Sequence, residues 1–156
     1  MNKIKPIRIF LGGTCAETTW RDELIELLKK YDDIEWFNPV VEDWTPECQA
    51  IEEEEKNHKC NVHLYVITDA MMGTYSVAES IHSAHLANMY GTSVDLVIFA
   101  ILKSDKWKKH DVKSFDADMR LIIDIAPHNS IVTWVDNMEQ LCEHIIYYNK
   151  VIDPNI

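Results

Sequence analysis

The residue with the clearest chemical potential is Glu79, which follows a buried-looking apolar run and a glycine. The run VHLYVIT is typical of a strand, and the next segment, DAMMGTYSVAESIHSA, predicts a turn at Gly73 and then a helix. With Thr74 or Ser76 as the cap, Glu79 falls within about the first helical turn, where free N–H groups favour an ionised carboxylate. Such a group can act as a nucleophile, or it can simply complement the helix dipole from the surface.

Two histidines near this glutamate could suggest a metal site. Glu79, His82 and His85 are spaced by three residues, but successive steps of three drift around a helix. No other cysteine or carboxylate completes a ligand set with recognisable spacing. The sequence therefore predicts neither a metal nor a cofactor.

A second possible nucleophile is Cys15, which forms a C-x5-R pattern with Arg21, as in small cysteine-dependent phosphatases. The Asp-Pro pair at 153–154 could supply the late acid of such an enzyme. Three features oppose this alternative. Glu17 would face the phosphate, with a repulsion of about 4 kcal/mol at ~4 Å and an effective dielectric constant of about 20. Asp22 replaces a supporting hydroxyl, and the loop lacks an internal glycine.

The elements that must position these residues alternate along the chain. Apolar runs predict strands at 7–11, 34–37, 62–68, 94–102 and 131–135, and amphipathic stretches predict helices at about 20–31, 46–59, 76–89, 114–125 and 137–149. Strict alternation favours a flavodoxin-like fold, which is a doubly wound, five-stranded parallel sheet with helices on both faces. We expect one domain over residues 1–156.

Ligands of such folds lie outside the carboxyl ends of the strands. Strand 1 ends in Gly12, Gly13 and Thr14, whose backbone and hydroxyl could hold a phosphate or sugar or could form only a tight turn. The second strand is followed by a loop that runs from Asn38 to Trp44. Strand 3 ends at Asp69, directly before the segment that carries Glu79.

Composition limits the possible partners and compartments. The 156-residue chain carries 15 basic and 26 acidic residues, a formal charge of -11, which disfavours nucleic acid and anionic membranes. Its four cysteines form no CxxC pair, so we expect free thiols and a cytoplasmic location without a membrane span. The IEEEEK run predicts a solvated helix face, and DKWKKHDVKSFD predicts a charged surface loop.

Three segments together resemble the nucleoside 2-deoxyribosyltransferase-like family over roughly residues 6–100. They are IFLGGTCAETTWRDEL, WFNPVVEDWTPECQAIEEEEKN and HLYVITDAMMGTYSVAE, and they occur in the family's order. The resemblance implies a domain that transfers or hydrolyses the N-glycosidic bond of a (deoxy)nucleoside or its monophosphate. It also implies that Glu79 is the nucleophile and that the protein is a homo-oligomer. The sequence departs from the family's pattern directly before the turn glycine, where Met71 and Met72 stand, so Asp69 is the candidate substitute for the aspartate that handles the base.

The remaining site residues follow from this chemistry and from the family's pattern. Glu79 would bond to the anomeric carbon, while Asp69 or Asp43, as a carboxylic acid, would manage the departing base. Trp20, Trp44 and Tyr75 could stack on a base, and Arg21 with the glycine loop could hold a 5′-phosphate. The complete set of predicted substrate-binding residues is Gly12, Gly13, Thr14, Trp20, Arg21, Asn38, Trp44, Gly73, Tyr75 and Ser76.

Two other functions remain open at this level. A domain of this kind could be a nucleotide sensor that binds without turnover, and replacing Glu79 would then change affinity alone. It could also cleave the nicotinamide glycosidic bond of NAD, for which Glu79 would do similar work.

Overall fold

The sheet of this protein forms from the five apolar runs that the sequence indicates. The structure is a computed structural model that describes residues 6–15 and 18–152. The strands are β1 (Ile7–Gly13), β2 (Ile34–Phe37), β3 (Val62–Ile67), β4 (Leu96–Leu102) and β5 (Ser130–Val135). The helices are α1 (Trp20–Leu28), α2 (Pro46–Glu54), α3 (Tyr75–Asn88), α4 (Lys109–Ile125) and α5 (Met138–Ile152), and α2 continues into a π-helical turn at Glu55–Lys59.

All strand pairs are parallel, and the strand order is β2-β1-β3-β4-β5. This order and the helices on both faces confirm the predicted flavodoxin-like fold. β3 lies at the centre and is buried along its whole length, which explains its unbroken apolar run. In the described ranges, no helix combines the length and the apolar character needed to cross a membrane.

Each face of the sheet has its own core. Alternate residues of β1, β3 and β4, such as Leu11, Leu64 and Ile98, pack with buried side chains of α1 and α5. The intervening residues, such as Tyr65 and Phe99, pack against α3 and α4 on the opposite face. Burial of a large apolar side chain stabilises the fold by roughly 1.5–3 kcal/mol, so the two layers fix the strands and helices relative to each other.

The predicted charged loop before α4 is wrong in its second half, because α4 begins at Lys109 rather than near Ser114. The Asp111 carboxylate accepts a hydrogen bond from the backbone N–H of Lys108, which caps the first turn. Phe115 is buried and meets the ring of Trp107 edge to face, with centroids 4.9 Å apart. The capping carboxylate and this aromatic contact outweigh the polar composition of the segment.

The prediction of a solvated IEEEEK face is also wrong for part of the run. Glu55 is buried and accepts two hydrogen bonds from the Arg8 guanidinium, at 2.8 and 2.9 Å. The hydrogen bond from Arg8 is the main cause that lowers the pKa of Glu55. Glu53 and Glu54 are exposed, as expected. Since α2 from Pro46 to Glu54 has no buried residue, this ion pair helps to attach its C-terminal end to β1.

Candidate functional site

A cavity of about 310 Å³ opens at the carboxyl ends of β1 and β2, between α2 and α3. Its volume is at the lower end of the range of about 300–1,000 Å³ that is usual for small-molecule sites. Glu79 and Glu52 contribute carboxyl groups, and Trp44 and Tyr75 contribute exposed aromatic rings. The complete lining is Phe10, Gly12, Gly13, Cys15, Arg21, Pro39, Val40, Val41, Trp44, Glu52, Tyr75, Ser76 and Glu79.

Glu79 reaches the cavity from the second turn of α3. The helix begins at Tyr75 after the N-cap Thr74, whose side chain makes no capping hydrogen bond, so Glu79 is the fifth residue. This agrees with the predicted place near the first turn, although the helix dipole acts less directly on the fifth residue than on the first ones. Instead, Lys56 provides the nearby positive charge by an ion pair from its Nζ to Oε1 of Glu79. Both side chains are largely buried, with exposed fractions of 13% and 12%.

Lys56 is held in place by its surroundings on the α3 face of the sheet. Its Nζ lies 5.4 Å from the centroid of the Phe10 ring, a favourable cation–π distance. Its carbonyl oxygen accepts a hydrogen bond of 2.7 Å from Nε2 of His63. Because a carbonyl can only accept, Nε2 carries the proton, and Nδ1 accepts from Ser83 at 2.8 Å. The Ser83 oxygen then accepts from the Tyr65 hydroxyl at 2.8 Å, so the chain of hydrogen bonds has one direction.

This network predicts a pH dependence of stability. Burial lowers the pKa of His63 from 6.5 to about 4, so between these values the unfolded chain binds a proton that the folded chain does not. The contribution of neutral His63 to the free energy of unfolding is therefore complete above pH ~6.5. It is lost as the pH decreases towards 4, by up to ~1.4 kcal/mol per pH unit. Urea unfolding at several pH values gives the free energy of unfolding as a function of pH, and its slope against pH should be flatter for His63→Gln than for wild type. The exposed His58→Gln serves as the control and should keep the wild-type slope; equal slopes in all three proteins would contradict the assignment.

Glu52 also lines the cavity from α2, four residues before Lys56, which lies in the π-helical turn that continues α2. Its pKa is raised, first by burial and then by the negative charge of Glu79, while Lys56 acts in the opposite direction. The site thus contains two carboxyl groups in different environments. One is paired with a cation, and the other is pushed towards its neutral form.

The two glycines at the end of β1 are required by the sheet rather than by an open loop. A Cβ on Gly12 would lie 2.6 Å from the Tyr65 ring, and one on Gly13 would lie 2.2 Å from the Val66 carbonyl oxygen. Gly13 also has a φ of 114°, which is unfavourable for other residues. Both line the cavity. The doublet therefore allows β1 to lie close to β3 while it forms the floor of the site.

Arg21, Trp20 and Thr14 support the end of β1 beside this floor through their own contacts. The buried Arg21 guanidinium donates to the carbonyl oxygens of Leu11, Gly13 and Thr14, at 2.9, 3.2 and 2.7 Å. The Trp20 indole N–H donates to the Thr14 carbonyl at 2.9 Å. The Thr14 hydroxyl accepts from the backbone N–H of Thr68 at 3.0 Å. These three side chains thus stabilise the end of β1, and of them only Arg21 lines the cavity.

The predicted acids lie away from Glu79. Asp69 is exposed, accepts a hydrogen bond of 2.6 Å from Ser104, and lines a different cavity of about 310 Å³ together with Trp20. Asp43 is exposed and precedes the lining residue Trp44 without lining the cavity itself. The carboxyl edge of the sheet therefore holds two hollows, and the strand-end rule does not say which one a residue enters.

The other predicted residues divide between the cavity and its surroundings. Tyr75 and Ser76 line it, and Tyr75 is 75% exposed at its mouth. Asn38 lies outside it and accepts a hydrogen bond of 3.1 Å from the backbone N–H of Val40, which shapes the loop after β2. Gly73 is exposed, and a Cβ there would meet no atom within 4 Å, so no close contact requires glycine at this position. His82 and His85 are exposed on α3.

Cys15 and Arg21, the residues of the phosphatase pattern, are in contact. An Arg21 N–H lies 3.6 Å from the Cys15 sulfur, and the thiol itself is 3.4 Å from the Gly13 carbonyl oxygen. The guanidinium donates mainly to backbone carbonyls, whereas a phosphate-binding arginine needs these donors for its ligand. Glu17 and the pair at 153–154 lie outside the described residues.

Sequence reasoning missed the roles of Lys56, Glu52 and His63. The first two belong to the charge run, whose apolar periodicity is too weak to indicate which side faces the protein. The spacing of four between Glu52 and Lys56 was the available signal that they share a face. His63 is hidden within the apolar strand β3, where a histidine offers no pattern of its own.

Comparisons with known proteins add one finding. A family model described as nucleoside 2-deoxyribosyltransferase like matches residues 6–106, which is more than half of the 156-residue chain. Searches of curated proteins and of solved structures found no significant match. The matched region contains β1 to β4 and every residue that lines the cavity with Glu79. The chain therefore belongs to the nucleoside 2-deoxyribosyltransferase-like family.

Proposed function

We propose that the protein cleaves the N-glycosidic bond of a (deoxy)nucleoside and transfers the sugar to a second base or to water. The observation that carries this proposal is that Glu79 lines a small-molecule cavity while an ion pair with Lys56 holds its carboxylate. The family assignment supports the same reaction class. Glu79 is the proposed nucleophile.

The reaction uses the two oxygens of this carboxylate differently. Cleavage at the anomeric carbon passes through a state with oxocarbenium character, which a nearby carboxylate stabilises and then traps as an ester. Oε1 of Glu79 accepts from Lys56, so we propose that Oε2 bonds to C1′. The Lys56 charge stabilises the carboxylate again when the sugar leaves, in the second half of the reaction.

The rim of the cavity suits an aromatic base. Trp44 and Tyr75 are 60% and 75% exposed, and both line the opening. Their faces offer apolar area for stacking on a base. Trp20, in contrast, is buried and supports the end of β1.

The contacts of Arg21 bear on whether the substrate carries a 5′-phosphate. A guanidinium has five N–H donors, and this one is engaged with three carbonyl oxygens and with Cys15. The Thr14 N–H donates to the Val66 carbonyl at 2.9 Å, so it too is used within the protein. These contacts favour a nucleoside over a nucleoside monophosphate as the substrate. They likewise speak against a phosphatase based on Cys15.

Incubation with a panel of nucleosides, nucleoside monophosphates and NAD, with the free base followed by chromatography, tests the proposed function. We expect base release from a nucleoside, and formation of a new nucleoside with retained configuration when a second base is added. Intact-mass measurement should detect a sugar adduct that peptide mapping places on Glu79. Release of nicotinamide alone would instead indicate an NAD-cleaving enzyme, and tight binding without any release would indicate a sensor.

The predicted homo-oligomer stays a prediction. Exposed apolar side chains line the cavity, namely Val40, Val41 and Trp44. Ile51 is also exposed and directly precedes the lining residue Glu52. A second copy of the chain that covered them would bury apolar surface and further enclose the site. The cytoplasmic location also stays a prediction.

A further inference from the structure

We propose that His63 is a positioning residue of the reaction, which acts on Glu79 through Lys56. This inference rests on the proposed glycosidic function and adds a residue of the central strand to it. The starting observation is that Lys56 is held at both ends. Its Nζ pairs with Glu79, and its carbonyl oxygen accepts a hydrogen bond of 2.7 Å from Nε2 of His63. His63 itself does not line the cavity, so any effect on the reaction must pass through a neighbour.

The π-helical turn that continues α2 leaves the Lys56 carbonyl for His63. In an α-helix, the N–H of residue 60 would bond to the carbonyl of residue 56. Here the Cys60 N–H donates instead to the Glu55 carbonyl at 2.7 Å. The next N–H, that of Asn61, donates to a backbone carbonyl of β1 at 3.0 Å. A single π-helical turn often marks a functional site, and this one makes a backbone acceptor available to the imidazole.

The two ends of Lys56 lead back to the same helix. Nδ1 of the buried His63 accepts from the buried Ser83 on α3 at 2.8 Å. Glu79 lies four residues before Ser83, so the two side chains are neighbours one turn apart on α3. The contacts therefore form a closed loop that runs from Glu79 to Lys56, His63 and Ser83 and back along the helix. A shift of Lys56 would break one of these contacts, so the loop fixes the ammonium group relative to the carboxylate.

The protonation state of the imidazole suits this role. Burial, the largest cause, lowers the pKa of His63 to about 4, so the ring is neutral near pH 7 and carries one proton. That proton lies on Nε2, because Nδ1 accepts from Ser83, whose oxygen in turn accepts from the Tyr65 hydroxyl at 2.8 Å. A buried network in which every member has its partner is rigid. It therefore holds the Lys56 backbone in one place.

The place of Lys56 matters to the reaction because it decides which oxygen of Glu79 is engaged. Nζ binds Oε1, which leaves Oε2 for C1′ in the proposed mechanism. A displacement of about 1 Å near the reacting atoms can slow a reaction ~100-fold. Loss of the His63 contact should therefore slow the formation of the glycosyl ester. Binding of the nucleoside should change little, since the cavity lining is intact.

Kinetics of His63→Leu and His63→Gln, with a nucleoside that wild type cleaves, test this role. Leucine fills the space without a donor, whereas the amide N–H of glutamine can replace the N–H of Nε2. We expect His63→Leu to lower kcat roughly 10–100-fold while KM stays within ~3-fold, and His63→Gln to recover most of the rate. A loss confined to KM, or equal losses in the two variants, would overturn the inference.

A double-mutant cycle shows whether His63 acts through Lys56. In a Lys56→Met protein the ammonium group is absent, so the addition of His63→Leu should lower kcat by less than ~3-fold further. A merely structural effect of His63→Leu would persist in this background. Multiplicative losses in the double variant would therefore refute the assignment.

Two buried serines of α3 provide a smaller change with a matched control. Ser83→Ala removes the partner that orients the imidazole and should lower kcat ~3–10-fold, the usual effect of one hydrogen bond. Ser80 is equally buried, but its hydroxyl donates to the Val77 carbonyl of its own helix at 2.6 Å. Ser80→Ala should therefore behave as wild type. A Ser83→Ala protein as active as Ser80→Ala would contradict the proposed role.

Failure of the function and failure of this inference can be told apart. If wild type releases base from no nucleoside, the proposed reaction itself is wrong, but the position of Lys56 can still be measured. Nitrogen-15 NMR of the lysine ammonium groups, assigned with Lys56→Met, should show slow proton exchange for Lys56 in wild type and His63→Gln and fast exchange in His63→Leu. Lys29, whose ion pair with Glu26 is exposed, is the reference for fast exchange. Fast exchange of Lys56 in wild type, or slow exchange in His63→Leu, would disprove the positioning role.

Discussion

Replacing Glu79 with glutamine should lower the rate of base release at least ~10³-fold, since loss of a covalent nucleophile has effects of this size or larger. An amide of the same shape cannot form the glycosyl ester and cannot balance the positive charge on the sugar ring. Substrate binding should survive, because the amide occupies the same space beside the cavity. Single-turnover kinetics measure the loss of base release, and intact mass measures the loss of the glycosyl ester.

This variant needs a control for stability, because it leaves Lys56 without its counter-charge in a mostly buried position. Removing one member of a buried ion pair can lower the stability of the fold by about 3–5 kcal/mol, and replacing both members with uncharged residues can restore this stability. The double variant Glu79→Gln with Lys56→Met should therefore regain stability without regaining activity. A Glu79→Gln protein that keeps more than a tenth of the wild-type rate would refute the nucleophile.

Alanine at Gly13 should be among the most damaging small substitutions in the chain. The new Cβ would stand 2.2 Å from the Val66 carbonyl oxygen and 2.5 Å from its nitrogen, both of which belong to the backbone of the central strand. The residue would also keep a φ of 114°. Overpacking and backbone strain together should reduce the free energy of unfolding by about 3–5 kcal/mol.

Urea unfolding of Gly13→Ala beside Gly73→Ala measures this effect. A Cβ at Gly73 meets no atom within 4 Å, so that variant should stay within about 0.5 kcal/mol of wild type. Gly13→Ala should also lose the cavity floor, so its base release should fall even in protein that remains folded. Equal stability of the two variants would contradict the close approach of β1 and β3.

The sheet was predictable because its signals are local. Runs such as those of β3 and β4 are apolar on both faces, which only a strand between two helical layers requires, and the alternation with helical patterns leaves few topologies. The start of α4 was missed because a single capping carboxylate, Asp111, and the buried ring of Phe115 decide it. Such contacts do not change the composition of a segment.

The candidate site was only partly predictable. Glu79 was identified because it follows a strand, a turn and a helix start, all of which leave a pattern in the sequence. Lys56 and Glu52 were not, since α2 is oriented by ionic and hydrogen-bonded contacts with Arg8, Glu79 and His63 that come from distant segments. Asp69 lies at the carboxyl edge of the sheet, as predicted, but it lines a neighbouring cavity. Only the three-dimensional path of the chain shows which of the two cavities a residue at this edge enters.

The position of β3 has a consequence for biosynthesis. When β1 and β2 have been made, they can pair, but the other edge of β1 has no partner until residues 62–67 are synthesised. The central strand β3 in turn has no partner on its other edge until β4 is synthesised. The nascent chain must therefore keep its first two βα units from associating elsewhere until the third and fourth strands have left the ribosome.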